Sequence, residues 1–302
     1  MTVKSCFKSL RLRTLPLSLA GVIAGTALSS TVAVPEVPVV VALLFTTAFL
    51  QILSNLSNEL GDALHGTDTA GRQGIHYSIQ DGEITVPEMK KLIAAVALLC
   101  CLSGLAMVFL SFGSLFASGP LCLLSLGAAA IWAAMNYTLG ANPYGYRGLG
   151  DLFVFIFFGI VSVMGAGYVC SHTVCPLWLL PASAIGCWSI GVLNVNNIRD
   201  MKTDAATRTT VALKLGLRKA RAYQFVLIVA GWLMMLAYTL QTATGLLQWL
   251  YFITLPLYAL HLKGVQNRED RALDPMLPLL VMTTFITALL FSVGVRTAPG
   301  MF

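Results

Sequence analysis

Charge is what this sequence is short of. Asp, Glu, Lys and Arg make up only 11% of its 302 residues, while apolar residues make up 57%. Soluble globular domains carry about 25% charged residues, so a soluble chain is excluded and a polytopic membrane protein is implied. A cleavage site is lacking too. Lys4, Lys8, Arg11 and Arg13 precede an apolar run, but no small-x-small site leads from it into a hydrophilic domain. The run therefore reads as a first span rather than a signal peptide. No Cys-x-x-Cys motif occurs among Cys6, Cys100, Cys101, Cys122, Cys170, Cys175 and Cys187. Most of these lie in apolar segments and read as small buried hydrophobes. Cys170 and Cys175 flank a short loop near His172, where a metal site or a disulfide is the alternative reading.

A bilayer-crossing helix needs about 20 apolar residues. Nine segments meet that need, near 15–34, 38–57, 90–110, 116–137, 151–170, 176–196, 222–241, 246–261 and 276–295. The segment at 246–261 is the shortest. The expected fold is all-α, a polytopic transmembrane helical bundle of nine spans forming one integral-membrane domain over 1–302.

Basic residues are missing from every second loop. With the N-terminus in the cytoplasm, the opposite loops 35–37, 111–115, 171–175 and 242–245 hold no Lys or Arg, and Glu36 is their only acid. The cytoplasmic loops, near 58–89, 138–150, 197–221 and 262–275, are the long and charged ones. Of 19 basic residues, only Arg296 falls outside the pattern. This is the positive-inside bias, and one missed span would scatter it. It places function on the cytoplasmic face, in loops near 58–89 and 197–221.

Acids concentrate at two places on that face. The first cluster is Asn58-Glu59-Leu60-Gly61-Asp62, running on to Asp68. Gln51, Asn55, Asn58 and Asp62 recur at i, i+4, i+7 and i+11, one face of a helix. Gly66 offers a turn that would bring Asp68 back to the same cavity. The second cluster is Asn196-Asn197-Ile198-Arg199-Asp200, running on to Asp204. Asn197, Asp200 and Asp204 again share one face. Carboxylates at a bilayer edge are expensive unless something pairs with them. Mg²⁺ takes oxygen ligands, usually one or two carboxylates with phosphate oxygens and water. Two such clusters across a cavity suit Mg²⁺ ions around a diphosphate, with Arg72, Lys202 and Arg208 nearby to take the remaining phosphate charge. Glu59, Asp81, Glu83 and Glu88 read instead as caps and interfacial solvation.

These residues resemble a known family, the 1,4-dihydroxy-2-naphthoate polyprenyltransferases of the UbiA-type membrane aromatic prenyltransferase superfamily. The resemblance covers nearly the whole chain. It rests on Arg11-Leu12-Arg13-Thr14-Leu15-Pro16, on Gln51-Ile52-Leu53-Ser54-Asn55-Leu56 and on Asn58…Asp62…Gly66-Thr67-Asp68. It continues through Tyr137-Thr138-Leu139-Gly140 and Pro143-Tyr144-Gly145-Tyr146-Arg147-Gly148-Leu149-Gly150-Asp151. It closes on Asn196-Asn197-Ile198-Arg199-Asp200, Thr203-Asp204 and Leu213-Lys214-Leu215-Gly216. The chain departs from the family pattern twice: Glu59 stands where Asp is frequent, and Thr207-Arg208-Thr209-Thr210 stands where Gly-Lys-Arg-Thr is frequent.

The resemblance implies a Mg²⁺-dependent enzyme of menaquinone biosynthesis in the cytoplasmic (inner) membrane. It would join a polyprenyl diphosphate to 1,4-dihydroxy-2-naphthoate, giving demethylmenaquinone, diphosphate and CO₂. It implies that Asn58, Asp62, Asp68, Asn197, Asp200 and Asp204 hold Mg²⁺ and diphosphate, with Arg72, Lys202 and Arg208 as phosphate clamps. Asn55 and Tyr137 would orient or shield the reacting centre, and Asp151 would position the acceptor or close the site. Phe153–Tyr168 would line a lipid-open groove for the tail, or simply pack. Membrane lipid is the expected surrounding partner; no nucleic acid and no obligate protein partner is expected. Two other readings remain: a prenyltransferase for another aromatic acceptor, and a cation-coupled transporter.

Overall fold

The computed structural model describes residues 2–66 and 77–296. An amphipathic helix, α1 (Val3–Leu10), opens the chain, capped by Thr2 and ended by Arg11 at φ 49°. A short 3₁₀ turn leads into α2 (Leu15–Ser29), with Pro16 in its first turn. Then come α3 (Val37–Leu64), α4 (Val86–Phe112), α5 (Ser118–Asn136), α6 (Gly150–Ser171), α7 (Pro176–Arg199) and α8 (Leu217–Thr242). A 3₁₀ stretch, Leu246–Thr254, runs directly into α9 (Leu255–Asn267), and α10 (Met276–Arg296) closes the bundle.

These elements start and stop where the sequence dictates. Pro38 and Pro87 lie in the first turns of α3 and α4, where a missing N–H costs nothing. Thr85 and Glu88 form a capping box on α4, and Gly113 ends it at φ 66°. The spans holding α2 and α7 are the most buried of the bundle. Helix α2 touches α3, α6, α7 and α10. The largest core cluster gathers Trp178, Trp188, Trp232, Tyr251 and Tyr258 with alanines of α2 and α7.

Eight described helical segments are long and apolar enough to cross a membrane. They match eight of the nine expected spans; the first is counted from Lys4 through Ser29. The segment expected at 246–261 is helical but divided, and it is not one of the eight. It carries buried Gln248 and His261, which lower its hydropathy. His261 belongs to a buried polar chain: Asn194 Nδ2 donates to Gln224 Oε1 at 2.9 Å, and Gln224 Nε2 reaches His261 Nε2 at 3.0 Å. His261 Nδ1 lies 3.1 Å from the Met276 carbonyl. This chain ties α7, α8, α9 and α10 together, and such hydrogen bonds hold helices in a bilayer. All seven cysteines are free, Cys170 and Cys175 included.

One span is irregular. The middle of α6, Phe155–Val161, is π-helical. There Gly159 lies so close to α7 that a Cβ on it would stand 2.7 Å from the Ala182 carbonyl oxygen. Beyond it, α6 resumes α-geometry to Ser171. The ends of α3 and α7, the short helices Met201–Asp204 and Val211–Leu215, and the 137–150 loop all gather at one end of the bundle.

Candidate active site

The last turns of α3 present the first cluster. Asn55 is fastened to the N-terminal segment: its Nδ2 donates to the Leu10 carbonyl at 2.9 Å and to Thr14 Oγ1 at 3.0 Å, while Gln51 Nε2 donates to its Oδ1. It lies two turns deeper than Asp62, and it holds the entry chain against α3. Asn58 Oδ1 accepts from Thr138 Oγ1 at 3.3 Å, and the same hydroxyl donates to the Ser57 carbonyl at 3.0 Å. Asp62 is buried, and Tyr146 Oη donates to its Oδ1 at 2.7 Å. Glu59 turns the other way. Its Oε1 accepts from Ser9 Oγ at 3.1 Å and from the Ile79 N–H at 2.9 Å, so it fixes α1 and the 77–84 turn to α3. Gly66 does adopt a left-handed turn, at φ 67°. Asp68 and Arg72 lie outside the described residues.

The second cluster divides into two parts. Asp200 is taken by its neighbour: Arg199 Nε donates to its Oδ1 at 2.9 Å and Arg199 Nη2 to its Oδ2 at 2.6 Å. Arg199 also reaches Asp274 and Asn196, each at 2.9 Å. Lys202 points away to Asp270 at 2.6 Å, its side chain 71% exposed. Among the described residues these two positions therefore do not converge on Asp62. Asp204 does. Its Oδ1 meets Arg208 Nη2 at 2.9 Å, and Arg208 Nη1 lies 3.7 Å from Asp62 Oδ1. One buried guanidinium thus joins the two clusters. Asn197, one turn back, is 6% exposed and makes no side-chain hydrogen bond among the described residues.

The electrostatics follow from burial. Loss of water pushes the Asp204 carboxyl up to about 6, with Arg208 pulling it down and the Asp200 and Asp62 charges pushing it further up. Burial works against the Arg208 charge, but Asp62 and Asp204 outweigh it and hold the guanidinium above its ordinary value.

A loop closes over this centre. The Thr209 N–H donates to the Tyr146 carbonyl at 2.9 Å, and Arg147 pairs with Thr209 in a short parallel bridge. Arg208 lies over the Tyr146 ring at 5.4 Å, and His65 packs edge-on against it at 5.1 Å. Tyr137 packs edge-on against Tyr144 at 5.4 Å. A Cβ on Gly150 would lie 3.1 Å from the Tyr137 hydroxyl, which puts that hydroxyl at the start of α6. Burial pushes the Tyr137 phenol up to about 12; Arg208 opposes this, and Asp62, Asp151 and Asp204 add to it. Asp151 is a separate pair, accepting from Tyr223 Oη at 3.0 Å.

Tyr146 is the residue the sequence did not single out. It stands in the quoted aromatic-glycine loop, but nothing in its spacing announces a hydrogen bond to Asp62. Thr138 escaped for the same reason.

The donor set is all oxygen. Among the described residues no three His, Cys, Asp or Glu side chains form a metal-holding group by themselves. Two carboxylates and amide oxygens, with the remaining positions left to phosphate and water, is the usual Mg²⁺ arrangement. Asp204 Oδ2 is buried with no hydrogen-bond partner, an orphaned acceptor that a cation would satisfy. The residues present therefore fit Mg²⁺.

The profile of the UbiA prenyltransferase family matches residues 18–276. The chain is 39% identical over 290 residues to the 1,4-dihydroxy-2-naphthoate octaprenyltransferase of Escherichia coli, covering 95% of this chain and 94% of that protein. It is 36% identical over 297 residues to the enzyme of the same name from Haemophilus influenzae, covering 97% and 96%. The fold is similar to the apo structure of a UbiA homolog from Aeropyrum pernix, with a TM-score of 0.72 at 16% identity over 93% of this chain and 97% of that one. It is also similar to a UbiA homolog from Archaeoglobus fulgidus bound to DMAPP and Mg²⁺, with a TM-score of 0.65 at 13% identity over 96% and 99%.

Proposed function

The chain belongs to the UbiA prenyltransferase family, and from that premise we propose that it transfers a polyprenyl group from polyprenyl diphosphate to 1,4-dihydroxy-2-naphthoate in menaquinone biosynthesis. The observation that carries the site is the meeting of Asp62 and Asp204 at Arg208. The acceptor follows the naphthoate relatives, which align over nearly the full length.

The reaction balances without a ring proton to remove. The allylic C–O bond of the prenyl diphosphate breaks, and its electron pair leaves with the diphosphate. The ring carbon that bears the carboxylate forms the new C–C bond. The C–CO₂ bond then breaks and returns its pair to the ring, giving the prenylated naphthoquinol, the reduced form of demethylmenaquinone. Asn58, Asp62, Asn197 and Asp204 would hold Mg²⁺, together with Asp68 and with Asp200 if Arg199 yields it. When bound, Mg²⁺ supplies neutralisation of the charge growing on the leaving diphosphate. Arg208 takes phosphate charge from the protein side, and Arg72 is proposed to do the same. Tyr146 keeps Asp62 aimed through its hydroxyl, Tyr137 shields the reacting carbon, and Asp151 positions the acceptor from the start of α6. The tail leaves the site along the bilayer.

The chain is a multi-pass membrane protein. Its place in the cytoplasmic (inner) membrane, with N-terminus and site on the cytoplasmic side, is supported by the confinement of Lys and Arg to alternate loops. The test uses purified protein, radiolabelled polyprenyl diphosphate and several aromatic acceptors, with and without Mg²⁺. A prenylated naphthoquinol that needs both Mg²⁺ and the naphthoate is expected. Full activity in folded Asp62→Asn protein would defeat the reading.

A further inference from the structure

We propose that Arg208 is the site's own counter-cation: it neutralises Asp62 and Asp204 until Mg²⁺ arrives, then transfers to the diphosphate, so that metal and diphosphate bind tightly only together. This rests on the reading of the site as a Mg²⁺–diphosphate centre.

Two arginines nine positions apart show the contrast. Arg199 grips Asp200 with a two-pronged fork, Nε on one oxygen and Nη2 on the other, at 2.9 and 2.6 Å. That is the settled form of an Arg–carboxylate pair. Arg208 makes no such fork. It gives one nitrogen to each of two carboxylates, at 2.9 Å to Asp204 and 3.7 Å to Asp62. Its own Nε and Asp204 Oδ2 are buried with no hydrogen-bond partner. Such orphaned groups are destabilising when water is excluded. The Arg208–Asp204 pair is thus poorly satisfied in a dry place, and both of its members gain from a better partner.

Charge says which partner. Asp62, Asp204 and Arg208 carry one net negative charge between them. A lone Mg²⁺ entering beside Arg208 puts two like-signed cations into one buried pocket, where screening is weak. A diphosphate supplies new acceptors for the guanidinium. Arg208 can then leave the carboxylates to the metal. The Tyr146 ring beneath it, at 5.4 Å, offers a face on which the guanidinium can turn. Tyr146 meanwhile keeps its hydroxyl on Asp62.

The test measures Mn²⁺ binding by electron paramagnetic resonance on the full chain in detergent, with free Mn²⁺ buffered and no prenyl substrate. Methylenediphosphonate is the diphosphate probe. Wild type should bind Mn²⁺ weakly alone and at least about tenfold more tightly with methylenediphosphonate. Arg208→Gln should bind Mn²⁺ alone at least about tenfold more tightly than wild type, and lose most of the enhancement. Arg208→Lys keeps the charge and should stay weak when the probe is absent. A misfolded variant cannot gain affinity, so the expected sign is proof against trivial loss of structure. Arg208→Gln binding Mn²⁺ alone no better than wild type would overturn the exchange while leaving the metal–diphosphate reading intact. Wild type binding no Mn²⁺ even with methylenediphosphonate would instead bring down that reading, and the exchange with it.

Discussion

A single methyl group at Gly61 tests how closely the first cluster is held. A Cβ there would stand 2.4 Å from Thr138 Oγ1 and 2.6 Å from the Thr138 backbone carbonyl carbon. The hydroxyl could turn away, but the backbone carbon cannot. Ordinary contact begins near 3.4 Å, so α3 and the 137–139 segment must part by roughly 1 Å. Thr138 is buried and donates to Ser57 and Asn58, so the separation also breaks those bonds. Overpacking of this kind costs about 1–3 kcal/mol. Helix propensity alone has the opposite sign, favouring Ala over Gly by about 1 kcal/mol. The direction of the change therefore decides between packing and propensity. Activity should fall further than stability, because Gly61 lies between Asn58 and Asp62 on the helix. A misplacement near 1 Å can lower a rate on the order of 100-fold. The assay is prenyl transfer at saturating Mg²⁺ and both substrates, read beside a thermal melt in detergent. Gly61→Ala protein that melts higher than the parent and keeps its full rate would refute the reasoning.

Three further substitutions sort the site from its surroundings. Lys202→Ala should change the transfer rate less than about twofold, since an exposed pair with Asp270 contributes little; a large rise in KM for the prenyl diphosphate would instead put Lys202 on the phosphate. Tyr146→Phe removes a hydrogen bond to a carboxylate, worth about 1.5–3 kcal/mol, and should raise the Mg²⁺ concentration for half-maximal rate about tenfold or more. The rate at saturating Mg²⁺ should change much less, and a fall in that rate with no change in the Mg²⁺ requirement would count against the role. Glu59→Ala strips Ser9 and Ile79 of their acceptor and should lower stability by about 1–3 kcal/mol; the folded fraction should keep its Mg²⁺ requirement, and an altered requirement would mean that Glu59 serves the metal after all.

Eight of the nine expected spans and the shared helix face of Asn55, Asn58 and Asp62 are legible because their signals are periodic. Length and hydropathy mark a span residue by residue, and i, i+4, i+7, i+11 spacing places Asn55, Asn58 and Asp62 on one face whatever surrounds them. Pairing is not periodic. Asp200 and Asp204 share a helix face in sequence, yet Arg199 turns back along its own chain and takes Asp200. Lys202 sits in the same motif but meets Asp270, far along the chain. Which partner wins depends on the approach of the 268–275 turn, and one helix's spacing says nothing about that. Tyr146 is hidden for a related reason: its role comes from a loop crossing over α3. The segment 246–261 is expected as a span from its apolar length and from the alternation of basic loops, yet Gln248 and His261 lower its hydropathy. The structure shows both polar groups hydrogen-bonded, which sequence hydropathy cannot record.

The π-helical stretch Phe155–Val161 has a consequence for register. A π-turn is one residue longer than the α-turn it replaces, and one residue corresponds to roughly 100° of rotation about a helix axis. The stretch works as a phase shifter between two halves of the same span. On one side Asp151 meets Tyr223; on the other, Gly167 packs so close to Trp178 that a Cβ there would lie 2.6 Å from its ring. Both facings hold at once only because the extra residue takes up the angle between them. Deleting one residue from 155–161 would restore a regular helix and force a choice between the two. The half that carries Asp151 can thus be retuned in evolution or by design without unseating the half that anchors the span.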